Sequence, residues 1–225
     1  MDSPVKLERM RRSLWAFMRE AWSIVEPAAL VENWHLEALC EFAEDITRGD
    51  IKRAVANLPP GSTKTLLFGV FWPAWVWIKR PEDSWQYVSA DLGLMVDRGE
   101  KLITLLSSPW YVERFGKRIE NGQAAGNIKN LFGGKCYSTS IFGKGVGHHC
   151  RYQVFDDPVK PDDAEQTSGV ALERTCRAVQ NTFASRADDH EQFRRLIVMQ
   201  RISEGDPAEA ALSWRSEERR VGKEC

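Results

Sequence analysis

No stretch of this sequence is apolar for long enough to span a bilayer. The most hydrophobic run, 66–78, is interrupted by Pro73 and falls short of the ~20 residues a spanning helix needs. The opening MDSPVKLERMRR has no apolar core of the kind a secretory signal requires. The five cysteines (Cys40, Cys136, Cys150, Cys176, Cys225) are odd in number, scattered, and contain no Cys-x-x-Cys pair. That argues against a disulfide framework and makes a reducing cytoplasm the expected setting. Cys136, His148, His149 and Cys150 are zinc-ligand types, but their spacing matches no zinc site, so no zinc is expected. Charge of one sign is not in excess, with 31 Lys and Arg against 32 Asp and Glu. Bulk charge therefore does not point to nucleic acid, although one local patch would be enough to grip it. Repeats and low-complexity tracts are absent, and so is any strict match to the phosphate-loop motif.

What is present fits one sizeable core. The chain has 225 residues, 43% of them hydrophobic, and nine tryptophans expected mostly in core or half-buried positions. Residues 1–48 read as two or three helices, with Leu36, Leu39, Phe42 and Ile46 at helical spacing. A β-prone run at 52–58 stops at Pro59-Pro60, and an apolar helix is expected over 64–78. A strand at 85–90, a helix at 92–106 and a hairpin at 130–142 turning on Gly133-Gly134 follow. Two further strands are expected at 152–155 and 195–199, with 162–186 mostly helical between them. Apolar strands alternating with helices predict an α/β fold, a mostly parallel sheet with helices on both faces. Ligands of such sheets sit at the carboxyl ends of the strands, and Lys64, Asp156 and Arg201 all fall at strand ends.

Two short segments carry the chemistry. Between the first strand and its helix lies Pro59-Pro60-Gly61-Ser62-Thr63-Lys64-Thr65. Leu58 stands at the first glycine position of the usual phosphate loop and Thr63 at the second. The physical ingredients remain: a turn that aims backbone N–H groups at an anion, a lysine for the β- and γ-phosphates, and a hydroxyl for Mg²⁺. An ordinary strand–turn–helix with a lysine at its start fits this stretch equally well. The second segment, RYQVFDDPVKP, places Asp156 and Asp157 directly after a hydrophobic strand. Asp-Asp-Pro can be a simple turn or helix cap. In P-loop enzymes the first such carboxylate holds the Mg²⁺ shell and the second positions or deprotonates the attacking water. The two segments together favour a nucleotide triphosphatase.

PPGSTKT with FDDPVKP resembles the terminase large subunit of tailed phages, whose phosphate loop often begins Pro-Pro and departs from strict form. The resemblance runs, in order, through Trp34-His35, Arg53 to Pro60, Ser89-Ala90-Asp91-Leu92, Ser108-Pro109-Trp110-Tyr111 to Phe115, and the Gly143–Gly147 stretch. It ends on Ser185-Arg186 and Val198-Met199-Gln200-Arg201 with Asp206, covering roughly residues 30–210. It implies an ASCE-type P-loop NTPase using ATP and Mg²⁺. Pro60, Gly61, Ser62, Thr63, Lys64 and Thr65 would bind the nucleotide, and Thr65 and Asp156 the metal, the latter through water. Asp157 would activate water, and Gln200 and Arg201 would couple γ-phosphate loss to movement, with Arg201 counted among the catalytic groups. His35 is expected to pack in the preface. The loop itself holds no arginine, so one supplied by a neighbouring subunit is expected, with Arg98 and Arg186 as candidates.

The expected organisation is a helical preface (1–48), a P-loop ATPase domain (49–214) and a tail (215–225). The expected function is ATP-driven packaging of double-stranded viral DNA into a procapsid, in a homo-oligomeric ring, with portal protein and terminase small subunit as partners. The expected setting is the host bacterial cytoplasm, away from membranes. Another P-loop DNA motor such as a helicase, or a non-hydrolysing nucleotide-binding adaptor, are the alternatives. A complete terminase large subunit carries a nuclease domain after the motor, and the stretch from Arg201 to Arg215 is too short for one, so no DNA cleavage is expected. The ending RSEERRVGKEC resembles the translation of a sequencing-adapter oligonucleotide. It is expected to be non-native and to form no ordered element beyond a loose helix.

Overall fold

The computed structural model describes residues 2–143, 149–159, 170–182, 191–202, 204–213 and 218–221. Three helices make the preface: α1 (Pro4–Arg12), α2 (Leu14–Val25) and α3 (Trp34–Arg48). The Ser3 and Ser13 side chains cap the first two, accepting from the Lys6 and Ala16 amides. Seven strands follow: β1 (Arg53–Asn57), β2 (Trp85–Ser89), β3 (Asn127–Lys129), β4 (Lys135–Ser140), β5 (Tyr152–Asp156), β6 (Arg194–Met199) and β7 (Glu218–Val221). They form one sheet in the order β3-β4-β2-β5-β6-β1-β7, parallel everywhere except the β3–β4 hairpin. This is the mostly parallel α/β sheet that the alternation of apolar strands and helices predicts. One strand, β6, separates β1 from β5.

Helices cover both faces, as a parallel sheet requires. On one face Ala54, Ala56, Tyr87, Val154, Leu196 and Val198 join the preface and the helices after β1 and β2 in the larger core. Trp85 stacks on Tyr152 at 4.0 Å, and Trp72 meets both rings edge-on. On the other face Val55, Val88, Phe155, Ile197 and Met199 pack against Ala178, Val179, Ala208 and Ala211. The same face carries a buried polar row. Arg195 Nε donates to Gln153 Oε1 at 2.8 Å, and Gln153 Nε2 donates to Gln86 Oε1 at 2.7 Å. A one-residue slip would break both bonds and turn every side chain over, so the row specifies register.

Several elements depart from the sequence reading. The helix expected over 64–78 is a short α4 (Lys64–Leu66), a π-helical turn (Leu67–Phe71) and α5 (Trp72–Lys79). Proline has no N–H, so Pro73 leaves the Gly69 carbonyl without its α-helical donor. The amide of Trp72 reaches back instead to the Leu67 carbonyl. Of the helix expected over 162–186, the described part comprises Val170–Arg177 and a π turn at Ala178–Thr182. A short helix at Pro207–Ser213 was not anticipated. The tail was expected to be unstructured or loosely helical. Its described residues instead form β7, paired parallel to β1 from Arg53↔Glu218 to Ala56↔Val221. The backbone of an edge strand accepts any chain that can present N–H and C=O groups, whatever its side chains.

Helix α6 (Leu92–Ser107) runs against the loop before β3, and Gly99 is the closest approach. A Cβ there would sit 2.1 Å from the Ala125 carbonyl oxygen, a backbone atom. Gly99→Ala would gain about 1 kcal/mol in helix propensity but would overpack the contact by about 1–3 kcal/mol or more. A net loss of stability is expected in urea or thermal melts, and a more stable variant would contradict this packing.

Candidate active site

The loop between β1 and α4 owes its shape to two left-handed residues, Gly61 at φ 74° and Thr63 at φ 65°. Thr63 occupies the position where the usual motif has its second glycine. Its positive φ explains why glycine suits the position, and a β-branched residue there is held under strain. Among the described residues the only other non-glycine with positive φ is Asp157, at φ 42°. The two strained residues flank one site.

Asp157 is fixed by its own backbone, donating to the Val198 carbonyl at 3.0 Å and accepting from the Ala90 amide at 3.2 Å. The kink ends β5 between its two neighbours and swings the carboxylate over the loop. Lys64 Nζ lies 2.8 Å from Asp157 Oδ1 and 2.7 Å from Oδ2. The lysine side chain is 7% exposed and the aspartate 38%, so the ammonium sits inside and the carboxylate at the mouth. The Gln200 backbone amide also donates to Asp157 Oδ1, at 3.3 Å. At the next residue, the Thr65 hydroxyl donates to Asp156 Oδ2 at 2.7 Å.

A Mg²⁺-nucleotide fits these donors. Mg²⁺ takes hard oxygen ligands and keeps several waters, and the Thr65 hydroxyl and Asp156 carboxylate supply such oxygens side by side. Asp156 Oδ1 and Ser62 Oγ are buried with no hydrogen-bond partner, so both retain acceptor capacity. No side chain caps the start of α4, which leaves its positive end to an anion.

The structure thus brings Lys64, Thr65, Asp156, Asp157 and the Gln200 amide together, with Pro60, Gly61, Ser62 and Thr63 in the loop above. Arg201 does not join them. Its guanidinium turns to Asp206 at 3.2 Å and Glu209 at 2.9 Å, on the segment that follows β6. His35 is half-buried, edge-on to the exposed ring of Trp34. Gly145, Gly147, His148, Ser185, Arg186 and Trp214 lie outside the described residues. Among the described residues no three His, Cys, Asp or Glu side chains gather as a metal cluster, and no helix is long and apolar enough to cross a membrane. Arg98 requires correction. As an arginine offered to a neighbour it would need a free guanidinium at the surface, but it is 1% exposed and bonded inside its own chain.

No protein-family model and no curated protein matches the sequence. Among solved structures, the chain is similar to the large terminase ATPase domain of Thermus phage P74-26. The TM-score is 0.44 and the identity 15%, over 70% of this chain and 63% of that one. This chain therefore spans less than two thirds of that protein's length, and at such similarity no residue role passes between the two.

Burial pushes the Asp156 carboxyl up to about 6 from its ordinary 3.8. The Thr65 hydroxyl opposes the rise, Asp157 adds to it, and the Lys64 and Arg98 cations oppose it. The folded protein therefore keeps a proton that the unfolded chain releases between about pH 4 and about pH 6. The stability that Asp156 contributes falls as pH rises through that window. In the nucleotide-free protein, Asp156→Asn is expected to melt above the parent at pH 7.5, with the gain vanishing near pH 4. A variant that melts below the parent at pH 7.5 would contradict this burial.

Proposed function

We propose that this chain is a Mg²⁺-dependent nucleoside triphosphatase of the P-loop kind. One observation carries the reading. Lys64 and Thr65 from the first loop meet Asp156 and Asp157 from a strand two places away in the sheet, at hydrogen-bond distance. A lysine, a hydroxyl and two carboxylates in that order are the parts that phosphoryl transfer to water uses. An ordinary turn with a surface lysine would not bury its ammonium against a second loop.

In this reading the backbone of 60–65 cradles the phosphates, and Lys64 neutralises charge that builds on the transferred group. Thr65 and Asp156 would hold a Mg²⁺ shell, and the ion would supply neutralisation of phosphate charge. Asp157, at the mouth and held by the Gln200 amide, takes the proton of the attacking water. Arg201, paired with Asp206 and Glu209 beside Gln200, lies on the segment that would move when Asp157 changes partner.

On the ordered sequence resemblance we extend the proposal to the packaging of viral DNA. The chain would hydrolyse ATP to drive double-stranded DNA into a procapsid as one subunit of a ring docked on a portal. The portal protein and a terminase small subunit would be its partners.

Phosphate release from ATP, measured with and without duplex DNA, tests the reading. Lys64→Ala is expected to lower turnover at least about a hundredfold, the scale of one lost electrostatic contact in a transition state, with the circular dichroism spectrum unchanged. A folded variant that releases phosphate at the parent rate would overturn the site assignment.

A further inference from the structure

We propose that Arg98 is a positioning residue that holds the metal-facing turn of the loop helix in place, acting through the carbonyl of Gly69. The inference rests on the nucleotide reading above and adds a residue that this reading does not use.

The chain of contacts begins at Pro73. Because proline cannot donate, the Gly69 carbonyl is left open within the helix. Arg98 Nη1 donates to that oxygen at 2.8 Å. The other arm, Nη2, donates to Ser138 Oγ on β4 at 2.6 Å. The guanidinium lies 4.3 Å from the ring centroid of Tyr87 on β2, so one buried cation ties the loop helix to two strands. Gly69 makes the approach possible. A Cβ there would stand 2.5 Å from Arg98 Cδ and 3.1 Å from the Tyr87 hydroxyl.

Gly69 lies four residues after Thr65, so both fall on the same face of the helix. The hydroxyl of Thr65 is bonded to Asp156, and Asp156 pairs in register with Ser89 of β2, two residues beyond Tyr87. A shift of Gly69 thus moves Thr65 against Asp156 along a single turn of backbone. The polar layer also stays incomplete. Arg98 Nε, the Tyr87 hydroxyl and Asp156 Oδ1 are all buried without partners. Burying a guanidinium is costly, and a helix could be tied down by apolar packing alone. The arrangement therefore points to a demand for fixed placement of the Thr65 and Asp156 oxygens. Lys64 and the loop amides, which meet phosphate directly, lie upstream of the clamp.

That division gives the test. Affinity for ADP is measured by calorimetry on the full chain, once with Mg²⁺ and once with EDTA. In the parent, Mg²⁺ should tighten ADP binding. Arg98→Met is expected to reduce that Mg²⁺-dependent gain about tenfold, the scale of a lost hydrogen bond from a charged donor. Its EDTA affinity should stay within about twofold of the parent. Ser138→Ala removes the acceptor of Arg98 Nη2 while keeping the arginine and the loop residues themselves, and should reduce the gain about threefold in the same direction. Loss of both affinities by an equal factor in Arg98→Met would make Arg98 a general structural residue and overturn the proposal. If Arg98→Met does not fold, Ser138→Ala decides, and an unchanged Mg²⁺ gain overturns it. A parent that binds no ADP at all would bring down the nucleotide reading and this proposal together. A parent that binds normally, with variants that match it, would bring down this proposal alone.

Discussion

A lysine ammonium withdrawn from water must find an opposite charge or lose its own, because an isolated buried cation costs far more than a domain's net stability can supply. Lys64 meets that demand with Asp157, which comes from a different loop across the sheet. The pair can form only if β1 and β5 end at the same level with β6 between them, and the parallel register fixes that level. The buried row Gln86–Gln153–Arg195 holds β2, β5 and β6 in this alignment from the opposite end of the strands. Much of the architecture can be understood as what it takes to keep Lys64 and Asp157 face to face.

The charges of the site balance one another. Lys64 neutralises Asp157 and Thr65 satisfies half of Asp156, so the groups that would meet phosphate and metal already meet one another. Balance of this kind keeps the fold stable without ligand, and it makes entry of a nucleotide an exchange of partners. Strain adds to the readiness for exchange. Thr63 and Asp157 are both held at positive φ, a conformation that costs of order 1–3 kcal/mol per residue and persists only where the surroundings impose it. The helix under the loop is irregular for a related reason: Pro73 removes one hydrogen bond and Arg98 supplies a substitute.

The sequence made the strands and their alternation with helices legible, because Tyr87-Val88, Val154-Phe155 and Leu196-Ile197-Val198-Met199 are short apolar runs bounded by polar or turn residues, a pattern typical of buried parallel strands. The strand-end rule brought Lys64 and Asp156 to one end of the sheet, but the pairing of Lys64 with Asp157 depends on the positive φ of Asp157, which the sequence does not display. The π turn could not be read from hydrophobic periodicity, since 67–72 is apolar on every side and so has no phase to lose. Its signal was Pro73 four residues after Gly69. Arg98 was misjudged for a comparable reason. A charged residue between the exposed Asp97 and the buried Gly99 looks like surface in one dimension, and only the missing Cβ of Gly69 makes room for it inside. Arg201 was legible as a strand-end residue but not as one that turns to Asp206 and Glu209, because three-dimensional choice among nearby carboxylates leaves no trace in spacing. The strand formed by Glu218–Val221 was also unreadable, because an edge selects for backbone more than for side chains.

The central claim is that Asp157 holds Lys64 until a nucleotide takes it, and then acts on water. Asp157→Asn separates the two roles. The variant is the same size, still accepts from the Gln200 amide, and no longer pairs with the ammonium as an ion. Its affinity for a non-hydrolysable Mg-ATP analogue, measured beside its rate of ATP hydrolysis, tests the claim most directly. The account predicts tighter binding than the parent together with hydrolysis at least about a hundredfold slower. Weaker binding with hydrolysis at the parent rate would contradict it.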